Sequence, residues 1–417
     1  MSVTGPSRPP VLRSLGLRAL LAAETISTTG SQMTWLALPW FVLTTTGSAA
    51  RMSIVVAAEA AAYAVFGIPS GSVIARLGAR RTMIIADGLR APVMLLVPML
   101  HWAGLLSYPL LVIFAAVIGT LSTPYASAQR VIVPELLGED EGAVSQANAL
   151  FQGATRATFL LGPPVAGVLI SVIGAPAVLV IDAATFAVAF VLIALFVPHV
   201  GRATGDGDQP DVGGLLAGIR YLRRDRLLST WTLAITGGDA AWIVIFVGTP
   251  VLVVAHYGGQ PELAGLIMGG FGAGALIGNA LSYRFFGAGM PGPGIAAGAL
   301  VQALPLWLLA MDVPDFALVA ALVVSGIGNG LVNPTVHAMI TLRPPPAIRA
   351  KVLAAVFTAS VLGAPLALMA AGPAFAAFDS RAVMAAAAAV QLLAMLIVAA
   401  SALTLLKDAA PAAEGAQ

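Results

Sequence analysis

The chain has 417 residues, of which 59% are hydrophobic and only 10% charged, with a mean hydropathy of +0.94. Soluble globular proteins carry about 25% charged residues, so this composition excludes a water-soluble enzyme, a nucleic-acid binder and a disordered tail protein. The net charge of +2 matters less than its distribution, and the lack of Cys removes disulfides and thiolate metal sites.

What remains is an all-α polytopic membrane protein. Roughly 380 residues are left after setting aside short tails and one central polar stretch, and a span with its connection uses roughly 30, which predicts twelve transmembrane helices. Runs free of Asp, Glu, Lys and Arg cover Thr25–Ala50, Ala91–Gln129, Phe285–Met311, Phe316–Leu342, Val352–Phe378 and Ala382–Leu406. The first is too long for the apolar region of a cleaved signal peptide and reads as a retained helix. The expected spans are 15–43, 52–75, 82–101, 108–129, 146–172, 176–197, 227–255, 262–284, 291–311, 315–339, 351–377 and 382–406.

Cytoplasmic loops retain Lys and Arg. With both termini inside, 17 of the 21 basic residues fall in cytoplasmic segments, only Arg51 and Arg381 lie outside, and Arg90 and Arg156 lie within spans. The expected location is therefore a bacterial cytoplasmic (plasma) membrane, with the chain a multi-pass monomer in the lipid bilayer. The one long connection, 198–226, contains Asp206, Asp208, Pro210 and Asp211 before a basic amphipathic stretch. It divides the chain into an N-terminal six-helix bundle (1–197) and a C-terminal six-helix bundle with a short tail (227–417). Gly and Pro recur at matching places in the two halves: Gly119 and Pro124 in span four against Gly328, Gly330 and Pro334 in span ten, and Gly162-Pro163 in span five against Gly363-Ala364-Pro365 in span eleven. Such paired interruptions point to a transporter with internal repeats and a central site.

Two motifs carry a family resemblance. Gly71-Ser72-Val73-Ile74-Ala75-Arg76-Leu77-Gly78-Ala79-Arg80-Arg81 follows the form G-x-x-x-D-R-x-G-R-R at the glycines and most basic positions, with Ala75 in place of the Asp. Gly162-Pro163-Pro164-Val165-Ala166-Gly167 is similar to an antiporter element, G-P-x-x-G-G. With its 6+6 division, the chain resembles the major facilitator superfamily, in the twelve-helix drug and metabolite exporter branch that includes siderophore and macrolide efflux proteins. The resemblance implies that Gly71, Arg76, Gly78, Arg80 and Arg81 form a gating loop, weakened as a latch by Ala75. It implies equally that Gly162, Pro163 and Gly167 form the antiporter-like element of span five. On the residues alone, the arginines also serve as positive-inside anchors.

Ionisable residues at bilayer depth are expensive and usually face a partner or a water-filled cavity. Asp239 lies 13 residues beyond Arg226, roughly 20 Å along its helix, and aligns with Gly30-Ser31 in span one, where exporters of this branch often have an acid. Asp239 is the first candidate for proton coupling, followed by Glu24 and Glu59. Arg156, at the middle of span five, is expected to pair with Glu59 or Glu24, because a lone buried charge is costly. Asp87 and Arg90, three residues apart, read as a structural pair along one helix face. Asp182 reads as structural, near a helix N-terminus.

Asn329, Asn333 and His337 form a polar stripe at steps of four, and Thr123 and Ser127 hold the matching place in span four. These residues, with Arg156, Ser31 and Gln32, are candidates to line a substrate cavity; the stripe serves equally well to bond neighbouring helices. Four scattered His and no Cys make no recognisable metal set, and no cofactor motif or G-x-x-x-x-G-K-[ST] loop is visible. No cluster of nucleophile, acid and base suggests an enzyme. The expected function is proton-coupled export of a small amphipathic organic molecule by alternating access. An uptake carrier or facilitator, or a non-transporting sensor or assembly protein of the same fold, stays open as an alternative.

Overall fold

A computed structural model describes residues 14–138, 140–199, 217–286 and 292–409. The helices in chain order are α1 (Leu15–Thr46), α2 (Ala49–Leu77), α3 (Ala79–Trp102), α4 (Tyr108–Leu137), α5 (Glu141–Ile173), α6 (Ala175–Phe196), α7 (Ala217–Arg224), α8 (Arg226–His256), α9 (Pro261–Phe286), α10 (Gly292–Ala303), α11 (Asp315–Leu342), α12 (Pro346–Ala377) and α13 (Ser380–Ala409). No strand occurs among the described residues. Asp206, Asp208, Pro210 and Asp211 of the expected linker lie outside them.

Local signals set the boundaries. Ser14 caps α1 by accepting the Leu17 N–H at 3.3 Å, and Asp140 caps α5 by accepting those of Gly142 and Ala143 at 2.9 and 3.0 Å. Gly78, at φ +81, turns α2 into α3 within one residue, a conformation that glycine adopts without strain. Span nine is not one continuous α-helix: α10 passes into a 3-10 segment at Leu304–Ala310, where Pro305 has no N–H to continue the α pattern.

Among the described residues, eleven helical segments are long and apolar enough to cross a membrane. The eight residues of α7 are too few. α1, with 32 residues, is long enough, but its hydropathy is diluted by Thr25, Ser27, Thr28, Thr29, Ser31 and Thr34. Several of these face a cavity described below, so the polarity that weakens the hydropathy signal has a structural use.

Burial divides the protein by height. At the end away from the termini, one continuous core joins Phe41, Met52 and Ile170 to Trp242, Ile267 and Leu368. At the terminal end there are two separate cores. One contains Leu20, Met83, Ile132 and Ile193; the other contains Leu228, Trp231, Ile295 and Val398. The two groups of helices are thus packed together at the far end and part towards the terminal end.

Small residues make the far-end seam. A Cβ on Gly167 of α5 would lie 2.5 Å from the Pro261 carbonyl oxygen of α9, and one on Gly269 of α9 would lie 2.8 Å from Pro164 Cδ. Phe159 of α5 meets Phe246 of α8 and Phe271 of α9 edge-on, with ring centroids 6.1 and 6.5 Å apart. Such close packing drives helix association in lipid, where burial of apolar surface gives little.

Candidate functional site

Just below the shared core lies a cavity of about 540 Å³, walled by α1, α2, α3, α4 and α6 on one side and by α8 and α12 on the other. Its apolar lining includes Trp35, Leu38, Met94, Phe186, Val247 and Val361. Three carboxylates, Glu24, Glu59 and Asp182, face it against one cation, Arg90. A volume of this size, largely apolar with a few convergent polar groups, suits a drug-sized organic molecule.

Each charged group is held differently. Glu24 accepts hydrogen bonds from Tyr125 at 2.9 Å and Thr28 at 3.3 Å. Asp182 accepts from Thr34 at 2.6 Å and Thr185 at 3.2 Å, and α1 makes room for it: a Cβ on Gly30 would overlap both Asp182 Oδ1 and Thr185 Oγ1. Glu59 sits where α2 and α4 touch, its own carbonyl pressed against Gly119, and nearby Asp182 is its charged neighbour. Arg90, 5% exposed, donates to Asp87 on its own helix. Its guanidinium lies over the rings of Tyr125 and Phe186, at 4.3 and 4.4 Å from their centroids.

The structure brings together only part of the set expected from sequence. Glu24, Glu59 and Ser31 line the cavity. Arg156 neither lines the cavity nor pairs with Glu59 or Glu24 among the described residues: its side chain is exposed on α5, so it is not the buried charge for which a partner was expected. The cation among these acids is Arg90, which was expected only as a structural partner of Asp87. Gln32 packs against Gly162, where a Cβ would lie 2.5 Å from its own Cβ. Thr123 donates to the Tyr63 carbonyl at 2.8 Å, and Ser127 meets Ser70 at 3.3 Å. α4 instead presents Ile118, Ser122, Tyr125 and Ala126 to the cavity, one face round from the expected pair.

Asp239 lies on the opposite side, in α8, where Ser360 of α12 donates to it and His337 of α11 is within electrostatic reach. It is exposed and absent from the cavity wall. Asn329 and Asn333 are half-buried and His337 is exposed, and none of the three lines the cavity. Of the expected loop after span two, Gly71 and Arg76 belong to α2 and only Gly78 makes the turn. Arg81 is exposed. Arg80 reaches across to the end of α6, donating to the carbonyls of Ala194 and Val197 at 2.6 Å each and meeting His199 Nδ1 at 2.9 Å. Arg80 therefore caps a neighbouring helix, besides any role at the lipid surface. Pro163 and Gly167 lie in the seam between the two helix groups, against Gly265 and Pro261 of α9.

Sequence reading assigned Arg90 and Asp182 to structure and passed over Tyr125 and Thr34 as site residues. Asp87-x-x-Arg90 and Asp182 were visible as intramembrane charges, but nothing in the pattern of single helices showed α3 and α6 turning them towards one space.

An apolar cavity with a few buried charges, between two helix groups closed at one end, defines a multi-pass membrane transporter. The chain belongs to the Major Facilitator Superfamily, which matches residues 20–290. The multidrug efflux pump Tap of Mycobacterium tuberculosis (strain ATCC 25618 / H37Rv) is 23% identical over 364 residues, 85% of each chain. Macrolide efflux protein A of Streptococcus pyogenes is 24% identical over 264 residues, 62% of this chain and 64% of its own length. Among solved structures, the nucleoside transporter NupG superposes with a TM-score of 0.75 at 14% identity, covering 92% of this chain and 98% of that one, a likeness of fold.

Proposed function

We propose that this transporter exports a small amphipathic organic molecule, such as a drug, siderophore or secondary metabolite, in exchange for protons. The observation that carries the reading is the drug-sized apolar cavity in which Glu24, Glu59 and Asp182 outnumber Arg90. Carboxylates left without full compensation at bilayer depth bind and release protons as their surroundings alternate. Efflux relatives, though distant, support the direction. With the termini cytoplasmic, as the 17-to-2 sorting of basic residues favours, the parted end faces the cytoplasm and the cavity takes cargo from inside.

Glu59 leads as the coupling residue because it faces the cavity and no hydrogen bond to its carboxylate occurs among the described residues. Glu24 follows. Asp239, in α8 but outside the cavity lining, is the C-terminal candidate, with Ser360 and His337 beside it. The six-helix halves, 1–197 and 227–417, rock about the α5–α9 and α2–α12 seams as a monomer in the cytoplasmic membrane.

The test is accumulation of candidate compounds in inverted membrane vesicles carrying the full chain. Uptake that needs an inside-acid gradient and collapses with a protonophore supports export by exchange. Downhill equilibration indifferent to the gradient would mean a facilitator instead.

A further inference from the structure

We infer that Arg90 is a positioning residue that ties Glu24 of α1 to Asp182 of α6, so that a change of charge at one is felt at the other. This rests on the proton-exchange reading above for its purpose but not for its geometry.

An ordinary structural pair on one helix face would satisfy both of its members. The Asp87–Arg90 pair does not: Asp87 Oδ2 and Arg90 Nε are both buried and have no hydrogen-bond partner among the described residues. The guanidinium lies instead over two aromatic rings. Tyr125 donates its hydroxyl to Glu24. Phe186 stands one helical turn beyond Asp182 on α6. Arg90 lies within electrostatic reach of Glu24, Asp87 and Asp182 together. The charged and titratable groups around it are Glu24 from α1, Asp87 from α3, Tyr125 from α4 and Asp182 from α6, and Asp182 in turn acts on Glu59 of α2.

One cation thus serves acids on two different helices. When Asp182 gains a proton, the guanidinium is released to favour ionised Glu24; when Glu24 gains one, it favours ionised Asp182. Groups that share a counter-ion titrate as a unit. Contact with aromatic rings suits this use, because a planar guanidinium keeps such contacts while its N–H groups reorient.

The experiment is a pH titration of the purified full chain in nanodiscs, following carboxyl C=O bands by infrared difference spectroscopy, with Glu24→Gln and Asp182→Asn assigning the bands. In an otherwise unaltered chain, Asp182→Asn should move the Glu24 midpoint to lower pH by about one unit or more. With Arg90→Gln also present, that displacement should fall to about a third or less. Arg90→Lys, which keeps the charge and loses the planar stack, should give an intermediate displacement. An equal displacement with and without Arg90 overturns the inference. Should Arg90→Gln not fold, Arg90→Lys and Tyr125→Phe decide, and a full displacement in both overturns it. The titration needs neither cargo nor gradient, so a wild-type chain with linked acids but no pH-driven transport would overturn the export reading alone.

Discussion

The Asp182 carboxylate occupies the space that a side chain at Gly30 would take. A Cβ on Gly30 would overlap Asp182 Oδ1 and lie 3.0 Å from Thr185 Cγ2, while four residues further along α1, Thr34 donates to the same carboxylate at 2.6 Å. An acid from α6 therefore fills the place in α1 where the family resemblance led one to look for an acid. Gly30→Ala should push Asp182 and Thr185 out of this cradle. Overpacking of this kind costs about 1–3 kcal/mol, so a lowered melting temperature in detergent is expected, together with reduced transport. Wild-type stability and transport in this variant would show that the carboxylate has room to move.

The α5–α9 seam governs closure of the far end. Gly265→Val should separate the helices there, since a Cβ on Gly265 would already lie 3.1 Å from the Pro163 carbonyl carbon and Val adds two methyl groups. The expected outcome is a shift towards opening at the far end, read as wider distances between spin labels on single Cys residues introduced into this Cys-free chain. Unchanged distance distributions would mean that the seam is compliant.

Asp225 joins local and tertiary structure at the terminal end of α8. Its carboxylate caps the helix by accepting the Leu227 and Leu228 N–H groups at 3.1 Å each and pairs with Arg343 Nε at 2.7 Å. Partial burial pushes its carboxyl up, but the bonds from Arg343 and the helix N–H groups outweigh this and hold it below the ordinary value of 3.8. A carboxylate lowered on folding stabilises the protein above its unfolded value, and that contribution is lost as pH falls through the folded one. Asp225→Ala should cost about 1 kcal/mol through loss of the cap. The difference from wild type, measured by thermal melts across pH 3–7, should shrink towards the acid end.

Orientation is testable in the same Cys-free background. Single Cys residues at Arg81 and at Arg381 should be labelled by an impermeant reagent from opposite sides of the membrane, with Arg81 reached only after the cytoplasmic face is exposed. Labelling of the Arg81 position in intact cells would reverse the topology on which the export direction rests.

The helices were largely legible because long apolar runs, Ser and Asp caps and single glycine turns are local signals. The site was legible only in part. Glu24 and Glu59 stand out as charges in apolar surroundings, and both line the cavity. Arg156 stands out for the same reason yet is exposed and lies outside the cavity lining, since a helix phase is settled by its neighbours and not by depth along the axis. Thr123 and Ser127 missed the cavity by a rotation of α4, and Arg90 entered it because α3 packs against α4 and α6. The far-end seam was foreshadowed by Gly162-Pro163 and Gly167, but their partners, Pro261, Gly265 and Gly269 of α9, carried no motif to pair with them.

The two helix groups make different demands on their acids, Glu59 at the cavity and Asp239 away from it, and substitution separates them. Glu59 has no hydrogen-bond donor of its own among the described residues, so Glu59→Gln keeps the shape and removes the titrating group with little rearrangement. Proton-driven accumulation in vesicles should fall to background, while exchange of cargo at equal pH on both sides should persist, because exchange moves no net proton. Glu59→Asp, which still titrates, should restore part of the driven transport with an altered pH profile. Asp239 accepts from Ser360, so Asp239→Asn keeps that hydrogen bond and should slow driven transport less than Glu59→Gln does. If the order is reversed, with Asp239→Asn abolishing driven accumulation and Glu59→Gln sparing it, the coupling proton belongs to the C-terminal wall.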